Sequence, residues 1–161
     1  MATPTSEPGS KTPTTTRTEP DCEFCEIVTR EADAREVFRT PDVVALFPLE
    51  PATLGHTLLI PSRHVSDLWH LPPELAAELA RWTVALATAV KDVMTPDGLN
   101  VIQSNGEAAT QTVMHLHIHV VPRWFDDAVG RIWPPETHYT TDQKDDAWEA
   151  LRTEFRRRHV Q

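Results

Sequence analysis

Apolar side chains recur along this chain in two periods, and the switch between them outlines the elements. Short apolar stretches at residues 35–38 and 43–47, parted by Thr40-Pro41-Asp42, predict the two strands of a hairpin. A third strand is expected at residues 56–60, bounded by Gly55 and Pro61. The period then lengthens. Leu75, Leu79, Trp82, Leu86, Val90 and Val93 recur at helical spacing after Pro72-Pro73-Glu74, and Pro96-Asp97-Gly98 lies just past the end. That apolar stripe requires a surface to cover, and the neighbouring strands offer it.

Strands are predicted at residues 99–103 and 115–121, the latter ended by Pro122. A last helix is expected from about residue 142 to 158, with Trp148, Leu151 and Phe155 on its buried face. Its closing Arg156, Arg157, Arg158 and His159 suit the negative end of the helix dipole. Strands, a long helix, strands and a terminal helix with short links define an α+β fold with a largely antiparallel sheet.

Composition adds boundaries. Residues 1–20 are rich in Thr, Pro and Ser and hold no large apolar side chain beyond Met1, so they are expected to form a disordered tail. Residues 21–161 are expected to form a single domain. A net charge of −9 disfavours general nucleic-acid binding, while a small anionic ligand stays open because local donors decide it. No apolar run approaches the roughly 20 residues of a membrane-spanning helix. Cys22 and Cys25 are too few and too close to staple a secreted fold, and no signal-like apolar stretch stands near the start, so a cytoplasmic protein is expected.

Candidate chemistry concentrates in His115-Leu116-His117-Ile118-His119-Val120-Val121. On a strand its strict alternation turns three imidazoles to one face and Leu116, Ile118 and Val120 to the other. Three rings, each with a donor and an acceptor to satisfy, make poor filler. Two readings remain: a His-x-His metal site, or a phosphate site in which one ring attacks and the others position. The preceding loop, Asn105 to Thr112, carries small and hydrogen-bonding residues that let backbone N–H groups approach an anion, which favours phosphate. Cys22-Glu23-Phe24-Cys25 has metal-ligand spacing, but it supplies half a site and equally suits a redox pair.

The HLHIHVV segment resembles the signature of the histidine triad (HIT) family, His-φ-His-φ-His-φ-φ with φ apolar, at every position. The likeness extends to Gln111-Thr112, Pro122-Arg123 and residues 55–61, and so over most of residues 22–125. It implies a HIT-like fold of about five antiparallel strands and one long helix, with two subunits sharing a sheet as a homodimer. By position, His117 would be the nucleophile toward a nucleotide α-phosphate, the ligand being read as a purine nucleotide. His119, Gln111, Thr112 and Asn105 would bind its phosphate and nucleoside. A C-x-x-C branch of the family holds a structural zinc, which by position would take Cys22, Cys25, His64 and His115 here. His56 and His70 are given no functional role.

The chain departs from its relatives in three places. Pro48 stands where many have a ribose-gripping Asp or Asn, Ser104 where an Asn or Gln is usual, and Thr110 where a Gly precedes the glutamine. Three functions remain: a nucleoside phosphoramidate or dinucleoside polyphosphate hydrolase, a nucleotide-binding regulatory protein with little turnover, and a nucleotidyltransferase or phosphorylase.

Overall fold

The structure, a computed structural model, describes residues 18–134 and 136–160. Of the tail expected over residues 1–20, residues 1–17 lie outside the described residues. Strands β1 (Arg35–Arg39), β2 (Val43–Phe47), β3 (Thr57–Pro61), β4 (Gly98–Gln103) and β5 (Ile118–Arg123) form one antiparallel sheet in the order β1-β2-β3-β5-β4. The first four match the apolar stretches in the sequence to within a residue at each end.

The last strand does not. It starts at Ile118, three residues later than the period-two pattern predicts. β3 pairs with β5 from Thr57 opposite Val120 as far as Leu59 opposite Ile118, and further along it ends at Pro61, which has no N–H to offer a ladder. The backbone N–H of Leu116 donates instead to Val65 O at 2.6 Å. His115 and His117 therefore stand on extended chain leading into the sheet.

Helix α1 spans Glu23–Thr29 and helix α2 Pro73–Met94. α2 lies against β3 and β5, where Leu75, Leu79, Leu86 and Val90 join Val43, Ala45, Leu59, Leu116 and Val120 in one buried cluster. Trp82 packs at its edge against Phe38, ring centroids 4.8 Å apart. Val93 departs from the predicted stripe at 77% exposed. One position on, Met94 lies a full turn plus from Val90 and packs on the cluster in its place. Gly55 makes room for it: its φ is +88°, and a Cβ there would fall 2.7 Å from Met94 Cγ.

α1 covers the opposite face. Phe24 and Cys25 of this helix and Cys22 before it form a second cluster with Val44, Leu46, Leu58 and Ile60. At roughly 1.5–3 kcal/mol per large apolar side chain, leaving that face in water would consume much of a domain's net stability of about 5–15 kcal/mol. Arg39 ties α1 to β1 by donating to Val28 O and Ile27 O, each at 2.9 Å, and is itself paired with Glu36. These are the helix's last carbonyls, where a cation is favourable.

Contacts divide the chain between Ala128 and Val129 into two compact units. The second contains helix α3, Thr141–His159, opened by a capping box in which Thr140 Oγ1 accepts from Gln143 N and Gln143 Oε1 accepts from Thr140 N. The helix forms where the sequence places it, but the expected buried face is not buried: Trp148, Leu151 and Phe155 are 59%, 74% and 63% exposed. Spacing reports amphipathicity, and whether a stripe finds a partner within the chain is a separate matter. No helix among the described residues is long and apolar enough to cross a membrane.

Candidate active site and metal centre

The three histidines share the face of the sheet that α1 covers. His119 lies opposite Leu58 of the α1-facing cluster, while Leu116 and Val120 point into the cluster under α2. His117 and His119 have ring centroids 4.8 Å apart at 69°. Phe24, carried between the two cysteines, sets its ring edge-on to both His115 and His117, at 5.8 and 5.2 Å.

Each ring meets a different neighbour, and the neighbour decides which nitrogen keeps the proton. His115 Nε2 donates to Pro61 O at 2.9 Å, leaving Nδ1 as a lone pair facing Cys22 and Cys25. His117 Nδ1 donates to His115 O at 2.7 Å, leaving Nε2 as its lone pair. His117 is only 6% exposed. Among the described residues, the buried side-chain polar atoms without a partner are Thr57 Oγ1 and Ser62 Oγ. Nε2 of His117 has no hydrogen-bond partner among the described residues.

His119 is oriented by His56. The N–H of Ala52 donates to His56 Nδ1 at 3.0 Å, so the neutral His56 ring carries its proton on Nε2 and donates to His119 Nδ1, also at 3.0 Å. The remaining proton of His119 then sits on Nε2, as a donor. Sequence reasoning gave His56 no function; its place beside His119 follows from the antiparallel pairing of β3 with β5, which only the structure shows.

Burial keeps these rings neutral. It lowers His115 and His119 to about 4, His119 being pushed down further by His117 and His56, and it lowers His56 and His117 below the ordinary range. In His117 the hydrogen bond to His115 O works in the opposite direction. At neutral pH the site thus presents an unprotonated imidazole nitrogen beside a neutral N–H donor, as nucleophilic attack on phosphorus needs.

Cys22, Cys25, His64 and His115 come together as the family likeness implies, their ligand atoms all within 4.8 Å of one another. Cys22 Sγ to His115 Nδ1 is 3.5 Å, Cys25 Sγ to His64 Nδ1 is 3.4 Å and Cys25 Sγ to His115 Nδ1 is 3.7 Å. Ligands at about 2.0–2.3 Å around a tetrahedral zinc stand about 3.3–3.8 Å from each other, and these three separations fall in that range. Burial pushes the Cys25 thiol up to about 11, and the N–H of Glu19 donates to its sulfur at 3.3 Å. A bound cation would supply the charge that favours the thiolates.

The loop before the triad is internally tied. Gln111 Oε1 accepts from Gly106 N at 2.7 Å, and its Nε2 donates to Ser66 O and Val113 O at 2.8 and 3.0 Å. Asn105 Oδ1 accepts from Leu68 N at 2.7 Å, and its Nδ2 donates to Gln103 Oε1 at 2.6 Å. Both side chains shape the loop from within. Thr112 is exposed and lines a cavity of about 450 Å³ with Cys22, His64 and Ser66. Thr110 has φ 66° and ψ 23°, left-handed backbone that favours the glycine of its relatives. His70 lies at the end of a short 3₁₀ turn, its Nδ1 2.6 Å from Asp67 Oδ1.

Fold and site together define a histidine triad protein. The HIT domain model matches residues 29–126. The chain is 34% identical over 119 residues to Protein hit of Bacillus subtilis (strain 168), covering 73% of this chain and 81% of that protein. It is 33% identical over 117 residues to the adenosine 5'-monophosphoramidase HNT1 of Saccharomyces cerevisiae, covering 71% of each. Among solved structures it is similar to a Zn-bound histidine triad family protein from Mycobacterium smegmatis, with a TM-score of 0.64 and 32% identity over 83% of this chain and 97% of that one. The chain belongs to the HIT family.

Proposed function

We propose that the protein is a nucleotide hydrolase that cleaves at the α-phosphate of a nucleoside phosphoramidate or dinucleoside polyphosphate through His117. The observation that carries this reading is the orientation of one ring: Nδ1 of His117 is held by His115 O, which leaves Nε2 as an unpartnered lone pair. Nε2 attacks the α-phosphorus, the bond to the leaving group breaks, an amine taking up a proton from solvent or a phosphate departing as its anion, and a nucleotidyl-His117 remains. Water then breaks the phosphorus–nitrogen bond and returns the ring to its starting state. His119 donates from Nε2 to a non-bridging oxygen and stabilises charge as it develops. Thr112 offers a hydroxyl from the loop, while Gln111 and Asn105 hold that loop in shape for the nucleotide, taken to be a purine nucleotide. A yeast relative named a monophosphoramidase supports the substrate class.

Zinc in the Cys22, Cys25, His64 and His115 set would be structural. Four protein ligands close its shell, and the ion would pin α1 over the sheet and leave His117 free. A homodimer in the cytoplasm completes the reading, supported by edge strand β4, which has a strand partner on one side only among the described residues.

The test compares wild type with His117→Ala on adenosine phosphoramidate and diadenosine polyphosphate, with and without added inorganic phosphate. Turnover should fall by about 10³-fold or more in the variant, and mass spectrometry of quenched wild type should show a nucleotidyl adduct. Equal turnover by the two proteins would remove His117 as nucleophile. Nucleoside diphosphate appearing only with added phosphate would make the enzyme a phosphorylase, and tight binding without turnover a regulatory nucleotide-binding protein.

A further inference from the structure

The cavity of about 450 Å³ beside the metal-ligand cluster is lined by Glu19, Asp21, Cys22, Glu23 and His64, together with Thr112 and its neighbours. The four ligands therefore divide into two pairs. Cys22 and His64 border the cavity, while Cys25 and His115 do not and lie deeper, with His115 fully buried. The three carboxylates around the rim are exposed, and none is ion-paired among the described residues. No Lys or Arg lines the cavity. Clustered charge of one sign at the mouth of a cleft concentrates counter-ions there and raises their rate of entry by about 10 to 10³-fold.

We propose that Glu19, Asp21 and Glu23 form a loading lip for a divalent metal ion, which enters through this cavity, meets Cys22 and His64 first, and is completed by Cys25 and His115. This rests on the metal reading above and adds a route and a rate to it. The incoming ion exchanges its waters for four protein ligands, and the two thiols release their protons to solvent as they bind. Specificity for charge lies at the lip, and specificity for soft donors lies beneath it.

The experiment follows Co²⁺ uptake by stopped flow, read by the thiolate-to-cobalt charge-transfer absorption, in the full chain. The variant Glu19→Gln/Asp21→Asn/Glu23→Gln keeps each side chain's size, and Asn suits the left-handed φ of 60° at position 21. Its uptake should be about 10-fold slower than wild type in about 10 mM salt, and equal to it near 1 M, where the Debye length shrinks from about 30 Å to about 3 Å. Final stoichiometry should be the same. A control, Glu74→Gln/Glu78→Gln/Asp92→Asn on α2, removes equal charge from the helix that covers the other face of the sheet and should load like wild type. Wild-type kinetics in the lip variant at low salt, or equal slowing in the control, would overturn the loading lip. A wild type that never develops the cobalt–thiolate band would overturn the metal site itself, a separate and recognisable result.

Discussion

At the scale of residues, His119 is lowered to about 4 mainly by burial, against about 6.5 in an unfolded chain. Between those values the unfolded chain takes up a proton that the folded one refuses. Stability in this group is therefore complete above pH ~6.5 and falls as pH drops toward 4. Urea midpoints measured from pH 7 down to 4.5 should decline, and the decline should be shallower in His119→Gln; superimposable curves would show that the ring does not contribute. Thr110 bears a different load. A β-branched residue in left-handed backbone costs roughly 1–2 kcal/mol, partly offset by the greater entropy loss of glycine, about 0.5–1 kcal/mol. Thr110→Gly should accordingly raise the thermal midpoint by about 1–4 °C, and a lower midpoint would contradict the strain. The exchange of Gly for Thr was legible as an odd substitution in the sequence, but its cost needed the backbone angle.

At the scale of elements, α2 and α1 show why one helix was readable and the other was not. α2 runs for 22 residues, long enough to repeat its apolar stripe several times. α1 has seven, under two turns, too few for a period and too few to be stable without its contacts. Its trace in the sequence lies elsewhere, in the unbroken apolar runs of β2 and β3. Strands with one wet face alternate, whereas Val43-Val44-Ala45-Leu46 is buried throughout and so demands cover on both sides. The stripe of α2 makes a graded prediction. Leu79→Ala, in the centre of the cluster, should cost about 2–5 kcal/mol, while Val93→Ala, turned to solvent, should stay within about 0.5 kcal/mol. Denaturant unfolding of the two variants, one helix and similar chemistry, would separate burial from helix propensity.

At the scale of the whole molecule, both buried clusters and all four residues of the metal-ligand set fall before Val129. A chain ending at Ala128 should fold, with a single cooperative transition near that of the full chain, and should take up one metal ion per chain. Loss of folding would mean that the segment from Val129 onward is part of the core unit's stability. The exposed apolar side chains of α3 belong to the same question, because the amphipathic pattern that foretold the helix did not foretell where its apolar face would go.

The chain's own pattern determined the strands, the long helix, the alternation that turns three histidines one way, and the half-site of two cysteines, because each depends on neighbours within a turn or a pleat. Long-range contacts decided the rest. Pro61 stopped the ladder short of His115, the carbonyls of Pro61 and His115 chose which nitrogen of each ring keeps its proton, and His56 reached His119 across two strands. Tautomers and ligand polyhedra depend on atoms far apart in sequence, and no periodicity within the chain encodes those distances.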